Sequence, residues 1–136
     1  MSKFKIRTID FKSEGAQFEL IDSLKNTGFA IIRNHGIDKN IINDVYDEWK
    51  KFFNSKKKFN YLFDVEKQDG YFPVKSENAH GYSCKDLKEF YHFYLPWGRV
   101  PQEISHKTND LYDLLIHIAT TLLCWIDDNS PDDVRN

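Results

Sequence analysis

Gly28-Phe29-Ala30-Ile31-Ile32-Arg33-Asn34-His35-Gly36-Ile37 is the stretch around which the chain is organised. Neither alternate set in its apolar run, Phe29 with Ile31 or Ala30 with Ile32, is polar, which predicts a short strand buried on both faces. Asn34, His35 and Gly36 supply turn chemistry, and glycine takes a positive φ without steric cost. Upstream, Ala16, Leu20 and Leu24, with Phe18 and Ile21 beside them, form one apolar stripe, so a helix is expected over 16–27. Gly28 stands where helices commonly end, and Ser13 is a candidate N-cap. Downstream, Asp38 is a good N-cap. Ile41, Ile42, Val45, Tyr46, Trp49, Phe52 and Phe53 then recur at spacings of threes and fours, predicting a helix over 38–53.

Working outward, Phe4 to Ile9 alternates as a half-exposed strand would. Lys56-Lys57-Lys58 reads as a solvated run near a helix C-terminus, where cations suit the macrodipole. Residues 64–88 are polar and punctuated by glycine, so they read as mostly irregular, with Gly70-Tyr71-Phe72-Pro73 and Gly81-Tyr82 as turns. Phe90 to Leu95 is aromatic-rich and reads as a strand. Thr108 or Asn109 could cap a last helix over 109–126. Its apolar face carries Leu111, Leu114, Leu115, Ile118, Leu122 and Trp125, and Tyr112, Ile116 and Leu123 widen it. A stripe this broad asks for cover on more than one side. Residues 127–136 form an acidic tail. The expected fold class is α/β: a small sheet around a buried central strand at 28–34, packed by three helices in one domain spanning 1–126.

The chain has 136 residues, of which 15% are aromatic, and a net charge of -2. That apolar load argues against disorder, and the charge leaves no electrostatic footprint for nucleic acid. Cys84 and Cys124 form no CxxC pair and read as reduced thiols. No stretch approaches the roughly 18 apolar residues that a membrane-spanning helix needs. The expectation is a soluble, cytoplasmic protein with neither nucleic acid nor membrane as partner.

Several motifs then carry a resemblance. Gly28-Phe29 is followed by Asn34-His35-Gly36-Ile37, Phe52-Phe53 by a lysine, and Gly81-Tyr82 by Asp86-Leu87-Lys88-Glu89; Trp97 and Pro101 lead into the last helix. In this order, and over roughly residues 5–126, the chain resembles the N-terminal region of the isopenicillin N synthase-like oxygenases. These are non-haem Fe(II) enzymes, most of which use 2-oxoglutarate. The resemblance implies the N-terminal part of a double-stranded β-helix oxygenase, with Fe(II) and 2-oxoglutarate as cofactors of a complete member. It makes residues 127–136 a truncated linker to a catalytic core. It also offers Tyr71 or Tyr91 as lining of a substrate entrance, beside plain core packing for large aromatics.

The family's chemistry needs two histidines and a carboxylate on one face of the iron. In the family the first two ligands come from a His-x-Asp element, and an Arg-x-Ser element holds 2-oxoglutarate. None of the five histidines here is followed two residues later by Asp or Glu, and no arginine begins Arg-x-Ser. His80 and Cys84, with His92 nearby, are too few for a zinc site. His35 reads as a turn histidine and His117, within an apolar helix, as a hydrogen-bonded, partly buried histidine. The expectation is therefore no catalytic, cofactor-binding or metal residue, and a chain that is inactive alone. Two roles remain: the N-terminal structural and substrate-entrance region of such an oxygenase, or a non-catalytic interaction module. The partner would be the missing catalytic core or a second copy in a homodimer.

Overall fold

The structure, a computed structural model, describes residues 5–78 and 80–132. In chain order the elements are β1 (Thr8–Asp10), α1 (Ala16–Thr27), β2 (Ile31–Arg33), α2 (Lys39–Asn54), a 3-10 helix (Lys56–Tyr61), β3 (Gly70–Phe72), β4 (Phe90–His92) and α3 (Lys107–Asp128). The chain divides into two compact units, one of residues 1–42 with 108–136 and one of residues 43–107. The strands form two two-stranded sheets, β1 with β2 and β3 with β4. No helix among the described residues is long and apolar enough to cross a membrane.

In the first unit β1 and β2 run parallel, with Thr8 opposite Ile31, Ile9 opposite Ile32 and Asp10 opposite Arg33. Side chains alternate along a strand, so Ile9, Ile32 and Ala30 share one face. That face is the core: Ile9, Ala16 and Leu20 are buried together, with Leu24, Leu122, Trp125 and Ile126 packed against them. Phe11 lies against Trp125, ring centroids 5.2 Å apart. Buried Ser23 ties the layers, its Oγ accepting from Arg7 N at 3.3 Å and donating to Phe29 O at 2.7 Å. α1 ends as expected on Gly28, whose φ of 75° is left-handed.

β2 is not the doubly buried central strand that its sequence suggests. Among the described residues it pairs with β1 alone, and Ile31 is 53% exposed. The reason is that the helices cover only the Ile9–Ile32 face. An apolar run on both faces of a strand reports surface that needs cover, not the element that covers it.

In the second unit β3 and β4 pair antiparallel, with Tyr71 opposite Tyr91. The stretch read as a turn at 70–73 is thus a strand, stabilised by a partner twenty residues on. Tyr71 and Tyr91 point to an aromatic cluster: Trp49 and Phe52 lie 5.4 and 5.7 Å from Tyr91, and Phe53 and Phe59 lie 6.2 and 5.7 Å from Tyr71. Tyr46, expected on the apolar stripe of α2, is exposed instead.

The caps follow local chemistry. Asp38 Oδ1 accepts from Asn40 N at 2.9 Å at the start of α2. Ser13 does not cap α1; its Oγ donates to Asp10 O, and Gly15 holds the N-cap position. α3 starts earlier than Thr108, with Ser105 Oγ accepting from Lys107 N. It also runs to Asp128, so the first residues assigned to the acidic tail are helical. Phe4 of the expected first strand, and residues 133–136 of the tail, lie outside the described residues.

Candidate functional site

The densest polar chemistry lies in the second unit, where the lysine run meets the β3–β4 pair. Lys58 is not a solvated end of the run. The 3-10 helix swings its Nζ inward, where it donates to Phe53 O at 2.6 Å and to Glu89 Oε2 at 2.7 Å. The Tyr71 hydroxyl donates to the same Glu89 oxygen. The ammonium also sits 5.3 Å from the Tyr71 ring centroid, within cation–π range.

The charge states follow from these contacts. Burial pushes the Glu89 carboxyl up, but the hydrogen bonds from Lys58 and Tyr71 outweigh it and hold it below the usual carboxylate value. The Glu89 hydrogen bond raises Lys58 against its own burial. Burial, reinforced by Glu89, raises Tyr71. The set is a closed ammonium–carboxylate–phenol clamp joining the 3-10 helix to β3 and β4.

A second clamp lies beside it. Asp69 is fully buried, and Arg99 Nε donates to its Oδ1 at 2.7 Å. Arg99 N donates to the other oxygen, and Nη2 to Leu62 O at 3.0 Å. Tyr91 closes the arrangement, its hydroxyl donating to Arg99 O at 2.6 Å while burial pushes its phenol up to about 12.

Tyr71 and Tyr91, offered by sequence as substrate-lining residues, thus have the surroundings of core side chains. Tyr71 is 2% exposed, and both hydroxyls are taken up inside the unit. The outward face of the same strands carries Phe72, Phe90 and His92, with Phe72 and Phe90 stacked at 4.5 Å. Sequence reasoning missed the clamps, yet the signal was there for one of them. The lysine after the phenylalanine pair and the Glu of Asp86-Leu87-Lys88-Glu89 are the two ends of one ion pair.

In the first unit a cleft of about 600 Å³ opens beside His35, lined also by Lys12, Asn34, Ile37 and Lys39. His35 behaves as a turn histidine, its Nδ1 accepting from Ile37 N at 3.2 Å. Among the described residues no group of three His, Cys, Asp or Glu side chains could hold a metal ion. His80, Cys84 and His92 are all exposed and form no such group. Among the described residues the donor set does not fit an iron centre.

Residues 6–112 match the family described as non-haem dioxygenase in morphine synthesis N-terminal. The chain belongs to this non-haem dioxygenase N-terminal family. Two solved structures are similar to nearly the whole of this chain. A Shewanella oneidensis protein assigned to the oxygenases is 37% identical with a TM-score of 0.82, over 96% of this chain and 46% of its own. A Caulobacter crescentus protein assigned to the 2OG-Fe(II) oxygenase family is 26% identical with a TM-score of 0.73, over 90% of this chain and 48% of its own. The chain thus spans about half the length of the structures it matches. No curated protein matches it.

Proposed function

We propose that this chain is the N-terminal structural and substrate-entrance region of an Fe(II)/2-oxoglutarate-dependent oxygenase. The observation that carries the reading is the coverage. Nearly the whole chain superposes on less than half of an oxygenase-like structure at 37% identity. The sequence meanwhile holds neither the iron triad nor the cosubstrate arginine motif. Iron and 2-oxoglutarate belong to the other half. The residues here hold a scaffold rigid: the two clamps of the second unit and the apolar core of the first. On the outward side of the β3–β4 pair His92 is exposed, and Phe72 and Phe90 are half-buried.

The test is a chimera in which this chain replaces the matched part of the Shewanella oneidensis protein. The expected result is a folded protein that keeps its parent's Fe(II) binding, while this chain alone shows no one-to-one Fe(II) site by calorimetric titration. A chimera that folds without its parent's Fe(II) binding, or a micromolar site in the chain alone, overturns the reading.

One observation favours a second reading, a non-catalytic dimerisation module. Leu114, Leu115, Ile116 and Leu123 of α3 are all exposed, and large exposed apolar patches mark association sites.

A further inference from the structure

The cleft beside His35 belongs to the first unit alone. Its volume of about 600 Å³ falls within the range of small-molecule sites. Ile37, which is buried, and half-buried Ile42 give it an apolar floor, and Lys12 and Lys39 stand exposed at its rim.

The charge of this lining sets it apart. The whole chain carries a net charge of -2, yet the lining holds two lysines and no carboxylate. Among the described residues neither the Lys12 nor the Lys39 ammonium has an ion pair or a hydrogen bond. The carboxylates that neighbour them in sequence are already occupied. Asp10 Oδ1 accepts from Lys12 N at 3.1 Å, and its Oδ2 accepts from Asn34 Nδ2 at 2.6 Å and lies 3.4 Å from Arg33 Nη2. Asp38 accepts from Asn40 N at 2.9 Å and from Asn40 Nδ2 at 3.3 Å. His35 adds a third donor. Its Nδ1 accepts from Ile37 N, so in the neutral ring the proton sits on Nε2. Asn34 and Gly36, with φ of 55° and 85°, hold the ring between two left-handed residues.

We propose that this cleft binds the phosphoryl group of a small phosphomonoester, with the Lys12 and Lys39 ammonium groups and His35 Nε2–H as its donors. Point charges on separate side chains suit a tetrahedral group with three terminal oxygens, whereas a planar carboxylate is matched best by the fork of an arginine. The cleft is larger than a phosphate, and Ile37 and Ile42 give the organic part an apolar bed. A lipid surface is the weaker source of the same phosphoryl chemistry. It recruits clusters of roughly four to eight cations, and here two lysines flank a concave site. This site is independent of the oxygenase reading: its loss leaves that reading standing, and a chimera without Fe(II) binding leaves the site standing.

Amide NMR spectra of the full chain test it, recorded at constant ionic strength with added inorganic phosphate or glycerol 3-phosphate. The expected result is saturable shifts at His35, Gly36 and Ile37, with a Kd for the ester of about 1 mM or below. Lys12→Gln with Lys39→Gln should weaken binding by about tenfold or more at an unchanged melting temperature, and the charge-keeping pair Lys12→Arg with Lys39→Arg should restore it. No saturable shift by about 50 mM would overturn the proposal, as would equal shifts around Lys56 and Lys57 or binding that the glutamine pair retains. A parallel arm sediments the chain with phosphatidylcholine vesicles, with and without phosphatidic acid. Binding to the acidic vesicles without a response to either soluble phosphate would assign the lysines to a lipid surface and overturn the proposal as well.

Discussion

Lys58 and Glu89 meet at 2.7 Å, and the Tyr71 hydroxyl reaches the same carboxylate oxygen. Removing one partner leaves the other underpaired in a mostly buried place. Lys58→Met should therefore destabilise the second unit by about 1–3 kcal/mol. Urea unfolding followed by tyrosine and tryptophan fluorescence measures it. No change would mean that the clamp is formed equally well in the unfolded reference.

The same clamp sets a pH dependence. Glu89 is held below its ordinary value, so its contribution is complete above that value and is lost as pH falls through the depressed one. Tyr71 is raised, so its contribution is present below its ordinary value and is lost as pH climbs through the raised one. Thermal melts should be flat near neutrality and fall at both ends. Glu89→Gln should flatten the acid limb relative to the parent; an unchanged acid limb would assign that slope to other carboxylates.

Gly70 is a tight backbone position of the second unit, in the left-handed region of φ. Its φ is +119°, and a Cβ there would lie 2.7 Å from Tyr61 O and 2.8 Å from Leu62 O. Gly70→Ala combines backbone strain of about 1–3 kcal/mol with a collision against main chain that cannot swing away. The expected outcome is loss of the cooperative melt of this unit. A shift of only a degree or two would show that the Asp69–Arg99 clamp can move to accommodate it.

The helices were legible because their signals are local: an apolar stripe at helical spacing, a glycine after α1, an aspartate before α2. β3 was not, because nothing in a polar, glycine-punctuated stretch announces a strand. It is made by pairing with β4 and by Arg99 reaching Asp69 thirty residues away. The exposure of Ile31 was not legible either, since sequence reports how apolar a strand is and not how many layers stand against it.

That difference has a measurable consequence in the first unit. Ile9 is fully buried, so Ile9→Ala should cost about 2–5 kcal/mol. Ile31→Ala in the isolated chain should cost less than about 0.5 kcal/mol, as for a surface substitution. Equal costs at the two positions would mean that Ile31 is covered in solution.

The last expectation concerns α3. Leu122, Trp125 and Ile126 pack on the core of the first unit, while Leu123 remains 64% exposed and Ile116 is exposed with it. Leaving such surface in water costs about 25 cal/mol per Å². The isolated chain should therefore associate through this helix, as a symmetric dimer, the commonest closed form. Light scattering across a wide concentration range measures it. Replacing Ile116 and Leu123 with lysine should give a monomer with unchanged helical content, since neither side chain belongs to the core. A parent chain that is already monomeric would show that this face is tolerated in water. A double variant that unfolds would place both residues inside a core.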